Sequence, residues 1–239
     1  MKATNRQAKV IIAGGTSGIG LATAILLAEK GALVTVTGRD EAKCKVAAAA
    51  HANIQAVVLD SSKRDELDTF FQQQGRVDHL VIALSGAKGA GPFAKLNLSE
   101  FRDAFEGKFW PHLNTLQAAL PSIKEDGSIT LITATSATAK MPGTSGLAAL
   151  NGGLELMIPI LAKELKPVRV NAVSPGVTDT NWWSFLPEEA KQEAFAQYAT
   201  QIPVGRVGKP EEVAEAITCL IDNTYITGTV LHCDGGLGL

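Results

Sequence analysis

Seven short runs of β-branched and aliphatic residues, KVIIA, LVTVT, AVVL, HLVIAL, SITLIT, VRVNAV and TVLH, recur along the chain with longer helix-like stretches between them. Most are apolar on successive residues, whereas a strand covered on one face alternates. Continuous apolar runs call for a sheet buried on both faces, the environment of parallel strands joined by crossover helices. The expected fold class is therefore α/β: a Rossmann-like, doubly wound parallel sheet of seven strands flanked by helices. The 239 residues, 46% of them apolar, suffice for one such core, and no linker, repeat or low-complexity tract divides them. Residues 1–239 read as a single domain, with the alanine run at 47–50 closing a helix.

The first run leads into VIIAGGTSGIGLATAILLAEKG, which places Gly14, Gly18 and Gly20 in the pattern G-x-x-x-G-x-G between a strand and a helix. Without Cβ atoms such a turn bends tightly and admits a pyrophosphate, while a helix starting near Ser17 to Ile19 aims free N–H groups and its positive end at that anion. This is the signature of a dinucleotide site. The kind of dinucleotide is read at the end of the second run, VTVTGRD. An acidic side chain at Gly38 would accept from a ribose 2′-hydroxyl and repel a 2′-phosphate. Gly38 is neutral and Arg39 follows, so NADP(H) is favoured over NAD(H), with Thr16 and Ser17 as neutral helpers and Asp40 as the one opposing charge. Asp60 and Ser61, after the third run, stand where an adenine edge would be received.

From these motifs the chain resembles the short-chain dehydrogenase/reductase family over nearly its whole length. NAVSPGVTDT looks like the family's segment after the sixth strand, which implies that Pro175, Gly176, Val177, Thr178 and Thr180 approach the nicotinamide carboxamide and diphosphate. PVGRVGKPEEVAEAITCLI and YITGTVLHCDGG look like its last helix and strand. Ser85 and Gly86, in HLVIALSGAKG, replace the family's Asn-Asn-Ala-Gly turn beside the cofactor, and Thr133 and Asn151 are assigned to the cofactor as well. The resemblance implies a hydride-transferring oxidoreductase that uses Asn, Ser and Tyr-x-x-x-Lys. Counted from LAKEL and AALP, those positions fall on Lys108, Ala134, Leu147 and Asn151: all four differ.

The family's Asn and Lys nevertheless look exchanged, with Lys108 at the Asn position and Asn151 at the Lys position. In the family the two are linked through water, so the pair is expected to persist in reversed order. Lys108 becomes the candidate catalytic group on the nicotinamide side, and Asn151 is expected to touch ribose. Thr133, Thr135, Ser136, Thr138 and Lys140, beyond the fifth strand, read as groups that orient substrate, and His112 as a residue near the face of Lys108. Trp182, Trp183 and Phe185 suggest an apolar lid over a small apolar or aromatic substrate. Pro159 is expected to kink the helix after Leu147, which in the family often forms a dimer interface.

A net charge of −2 and a pI near 6.1 leave no basic footprint for nucleic acid. No signal-like or membrane-length uninterrupted apolar run is seen, so a cytoplasmic protein without membrane association is expected. Cys44, Cys219 and Cys233 lie far apart, read as ordinary thiols, and Cys219 as a buried one; no metal cluster emerges. Two functions stand against each other: an NADP(H)-dependent reductase or dehydrogenase of atypical active site, acting on a small carbonyl or quinone-like substrate as a homo-oligomer (dimer or tetramer), and an NADP(H)-binding pseudoenzyme that senses redox state or serves as an interaction module.

Overall fold

The computed structural model describes residues 7–86 and 88–239; the first six residues of the N-terminal stretch read above for a signal lie outside them. Seven strands, β1 (Lys9–Ala13), β2 (Leu33–Gly38), β3 (Ile54–Val58), β4 (Val77–Ile82), β5 (Ile123–Ile132), β6 (Arg169–Pro175) and β7 (Val230–Cys233), form one sheet in the order β3-β2-β1-β4-β5-β6-β7. Every neighbouring pair is parallel. The helices are α1 (Gly18–Glu29), α2 (Glu41–Ala49), α3 (Arg64–Gln74), α4 (Leu98–Ala104), α5 (Trp110–Ala119), α6 (Ser145–Glu164), α7 (Glu188–Ala199) and α8 (Pro210–Asp222).

Successive strand residues point to opposite faces, and both faces are filled. Ile11, Leu80, Ile82, Ile129 and Leu131 pack under Phe70 and Phe71 of α3, Leu116 of α5, and Leu150, Leu154 and Ile158 of α6. Val10, Ile12, Val34, Val36 and Val81 pack under Leu27 of α1, Ala47 of α2, and Val213, Ile217 and Leu220 of α8. This is why apolar residues occur at successive positions of most strand runs. At about 25 cal/mol per Å² of apolar surface removed from water, these two layers supply the main stabilisation of the fold.

The sequence reading differs from the structure at one place in the helices. Cys219 is exposed, not buried: α8 is amphipathic, and Ile217, Leu220 and Ile221 face the core while Cys219 falls on the outer side. Helix α6 is continuous through Pro159, which is exposed. The same helix is long and apolar enough, by length and composition, to cross a membrane. One stripe of it (Leu150, Leu154, Ile158) sits in the core, whereas Leu156 and Ile160 are 75% and 55% exposed.

Arg169, the first residue of β6, is buried and turns its guanidinium onto the end of α8. Its Nη1 donates to the carbonyls of Leu220 (2.6 Å), Asn223 (3.1 Å) and Ile226 (3.2 Å), and Nη2 to that of Ile221 (2.9 Å). The last carbonyls of a helix have no partner within it, and a cation there also opposes the negative end of the helix dipole. Replacing Arg169 by Ala removes the donor from the Leu220, Ile221 and Asn223 carbonyls, while Ile226 keeps Asn171 Nδ2 at 3.0 Å. The expected cost is about 2–4 kcal/mol, seen as a lower urea midpoint at unchanged m-value.

Candidate active site

The strand order reverses between β1 and β4, and their carboxyl ends open a crevice there, the usual ligand position in such sheets. Gly14 lines it with φ +79, and a Cβ on it would lie 2.6 Å from the Ala83 carbonyl oxygen, so the turn after β1 can press against β4 only as glycine. Ser17 precedes α1 in extended conformation and makes no side-chain cap. The first-turn N–H groups of α1 are consequently unspent and face a cleft of about 430 Å³. Gly18, Ile19 and Gly20 line that cleft together with Gly86, Thr133, Pro175, Gly176, Val177, Thr178 and Thr180.

A second cavity, of about 210 Å³, adjoins it and shares Gly14, Ser17, Ser85 and Lys43 with it. Its walls hold Thr16, Arg39, Asp60 and Ser61. A Cβ at Gly38 would fall 2.7 Å from the Thr16 methyl, so an acidic residue there would have to displace the Thr16 side chain. Asp40 caps α2, accepting from the Lys43 N–H at 3.0 Å, and lines the same cavity. Arg39 is left without an ion pair among the described residues and stands with Lys43, a cation that the sequence reading missed. Burial alone would raise the Asp60 carboxyl, but hydrogen bonds from Ser62 (2.9 and 2.8 Å) and the charge of Arg39 hold it below the usual carboxylate range.

The larger cleft is also lined by Lys108, Ala134, Leu147 and Asn151. Lys108 lies in a π-helical turn (Phe105–Phe109) joining α4 to α5, a local over-wide turn of the kind found at functional sites. The Lys108 carbonyl accepts from His112 Nδ1 at 2.8 Å. His112 Nε2 has no partner among the described residues, and burial, reinforced by the nearby Lys108, drives this imidazole down to about 3. The ring is therefore neutral, with its proton on Nδ1, and lies behind the cleft without lining it.

The Lys108 side chain is 8% exposed and turns inward instead of lying on a solvated helix face. Its Nζ donates to Asn151 Oδ1 at 2.8 Å and to the Thr133 carbonyl at 3.2 Å. Lys108 and Asn151 thus touch directly. Asn151 in turn spends both amide hydrogens, on Ser136 Oγ and on the Leu147 carbonyl, each at 3.0 Å. That leaves it only an oxygen lone pair for the ribose contact expected of it, whereas Lys108 retains one N–H. Burial pulls the Lys108 ammonium down to about 8, and the charge of Glu155 partly opposes this. Glu155, unnoticed in the sequence, is held by the hydroxyls of Thr133 (2.7 Å) and Ser174 (2.8 Å).

Thr135 and Ser136 also line the cleft; Thr138 and Lys140 do not. Of the expected lid, Trp182 and Trp183 form part of the wall, tied down by Nε1 bonds to the Gly86 carbonyl (3.3 Å) and the Thr178 carbonyl (3.1 Å). Phe185 packs on both tryptophans from outside and stays 60% exposed. Tyr198 of α7 and Leu237 complete the apolar side. No group of three or more metal-ligating side chains occurs among the described residues.

A parallel sheet with a glycine-rich turn at its switch point and a cleft spanning both sides of that turn defines a dinucleotide-dependent oxidoreductase. Residues 13–238 match the family model described as enoyl-(acyl carrier protein) reductase. The 3-oxoacyl-[acyl-carrier-protein] reductase of Thermotoga maritima is 32% identical over 243 residues, covering 95% of this chain and 96% of that protein. The mouse 3-oxoacyl-[acyl-carrier-protein] reductase is 32% identical over 234 residues, with the same coverage. A small-chain dehydrogenase solved in complex with NADPH superposes with a TM-score of 0.84 at 29% identity, over 97% of this chain and 98% of that one. A short-chain oxidoreductase from Pseudomonas aeruginosa, described as containing an atypical catalytic center, gives 0.87 at 30% identity, over 96% and 97%. The chain belongs to the short-chain dehydrogenase/reductase family.

Lysine Nζ resonances followed by 15N NMR should show one amine losing its proton near pH 8, far below the others, and missing in Lys108→Met. The folded protein should also lose stability as pH falls below 6.5, because His79, lowered to about 4 mainly by burial, and His112, at about 3, take up protons only when it unfolds. The expected slope is about 1.4 kcal/mol per pH unit for each histidine, levelling near pH 4 and pH 3 respectively, as measured by urea titration.

Proposed function

We propose that this protein is an NADP(H)-dependent reductase or dehydrogenase acting on a small carbonyl or quinone-like substrate through an atypical active site. The observation that carries this reading is the buried Lys108 ammonium, which lines the same cleft as the unspent N–H groups of α1. The residues present fit the cofactor. The glycine turn leaves the space that a pyrophosphate needs, and Arg39 with Lys43 offers a 2′-phosphate two cations and no opposing carboxylate at Gly38. Thr16, Ser17, Asp60 and Ser61 would hold the adenosine side, and Ser85, Gly86, Thr133 and Pro175 to Thr180 the nicotinamide side.

When bound, the reduced cofactor would supply a hydride to the carbonyl carbon while the oxygen gains a proton. The chain's part is to orient the carbonyl, exclude water under Trp182 and Trp183, and place positive charge near the oxygen. Lys108 is protonated below pH 8 and serves as that charge. With Leu147 and Ala134 where the family carries Tyr and Ser, the proton itself comes from solvent. A positioned general acid contributes ~10²–10⁴ in rate, so the acceptors of choice are those whose oxygen carries negative charge readily. The 3-oxoacyl esters suggested by the relatives' names, aromatic aldehydes and quinones are the first to test.

The second reading, an NADP(H)-binding pseudoenzyme, is favoured by one observation: Leu147 and Ala134 leave no acidic hydroxyl at the family's acid position. We also infer a cytoplasmic homo-oligomer, dimer or tetramer, supported by the exposed Leu156 and Ile160 on the outer side of α6. Charged residues at both positions should leave a monomer in sedimentation velocity.

Quenching of Trp182 and Trp183 should report NADPH binding, followed by absorbance-monitored turnover over the three substrate classes. Arg39→Ala should weaken NADPH by about 10-fold, near 1.4 kcal/mol, and NADH by less than twofold. Equal losses would remove Arg39 from the 2′-phosphate. Tight NADPH binding with no turnover of any class would favour the pseudoenzyme.

A further inference from the structure

Four hydroxyl side chains follow β5, and each has a single hydrogen to give. Three are spent inside the protein: Thr133 Oγ1 donates to Glu155 Oε1 at 2.7 Å, Thr135 Oγ1 to Asp234 Oδ2 at 2.9 Å, and Thr138 Oγ1 to the Thr135 carbonyl at 3.3 Å. Ser136 differs. Its one hydrogen bond among the described residues is accepted, from Asn151 Nδ2 at 3.0 Å, and its hydrogen is unspent although the side chain lines the cleft.

That direction is imposed by chemistry. A lysine ammonium can only donate and a backbone carbonyl can only accept. Asn151 lies between Lys108 Nζ at 2.8 Å and the Leu147 carbonyl at 3.0 Å, so its amide oxygen must face the lysine and its NH₂ the carbonyl. The second amide hydrogen then has to point at Ser136 Oγ, occupying an oxygen lone pair and leaving the O–H for a ligand. The chain Lys108, Asn151, Ser136 is a row of donors running from a buried cation toward the cleft, each polarising the next.

We propose that Ser136 is the catalytic hydrogen-bond donor to the substrate's carbonyl oxygen, strengthened by Lys108 through Asn151. The site stands two residues beyond Ala134, where the family carries its serine, and takes ligands presenting an acceptor oxygen: ketones, aldehydes and quinones. The inference rests on the reading of this cleft as a site of carbonyl reduction. As hydride reaches the carbonyl carbon, the π-bond pair moves onto oxygen. Ser136 keeps its proton while holding that charge, and water then protonates the oxygen to give the alcohol.

The test uses the full chain with NADPH and ethyl acetoacetate or menadione. Ser136→Ala should lower kcat by about 10²-fold, the usual loss for one donor at a developing oxyanion, with NADPH affinity within twofold of the parent. Because the donors act in series, the same substitution made on Lys108→Met should cost less than about 3-fold more. Turnover of Ser136→Ala equal to the parent overturns the assignment, and an undiminished loss on Lys108→Met overturns the coupling. A second readout needs no turnover: 4-(dimethylamino)cinnamaldehyde, added to the NADP⁺ complex, should shift its absorption to the red when Ser136 donates to its oxygen. No shift with the parent protein, or an equal shift with Ser136→Ala, overturns the proposal. Failure of NADPH to quench tryptophan fluorescence in the parent would instead remove the reading of the cleft on which the proposal rests.

Discussion

A sheet covered on both faces cannot offer its surface to a ligand, and the rest of this protein follows from that constraint. With Ile11 and Leu80 under one helical layer and Val10 and Val81 under the other, only the strand ends remain open. At the carboxyl ends of β1 and β4 the crossovers depart in opposite directions, so the chain itself leaves a crevice there. The glycine turn, the 83–86 segment and the loop after β6 all meet at that point. Their residues are far apart in sequence and are brought together by the register of parallel strands.

Inside the crevice, one buried cation organises the wall opposite the glycine turn. Removing an ammonium from water is costly unless its hydrogens find acceptors. Lys108 finds two, Asn151 Oδ1 and the Thr133 carbonyl, and the carboxylate of Glu155 lies close enough to support its charge. Thr133 couples the two, its carbonyl receiving Lys108 and its hydroxyl reaching Glu155. Lys108 and Asn151 meet directly, which keeps a positive group in the cleft although the Leu147 and Ala134 side chains have no O–H or N–H to give. The hydrogen bonds run outward from the π-helical turn through α6 to Ser136.

Much of the site could be read along the chain because its parts are local. Gly14, Gly18 and Gly20 act through one turn, Arg39 sits at the end of one strand, and Ala134, Leu147 and Asn151 keep their spacing on one strand-turn-helix unit. Features missed are those made by distant pairs. Nothing near Lys43 marks it as a wall of the nucleotide cavity until Asp40 caps α2 and turns that helix. Glu155 reads as a helix-surface acid until Thr133 and Ser174 reach it from two strands. Arg169 reads as a strand-edge charge, yet it closes a helix more than fifty residues away.

By itself the sequence determined the doubly wound sheet and the dinucleotide turn, because hydrophobic period and glycine spacing are local physical requirements that few other folds satisfy. Tertiary structure alone decided whether Lys108 faces water or Asn151, whether Cys219 lies inside or out, and which of four neighbouring hydroxyls keeps its hydrogen free. Each of those depends on partners supplied by another element, and burial and hydrogen-bond satisfaction are properties of the assembled chain.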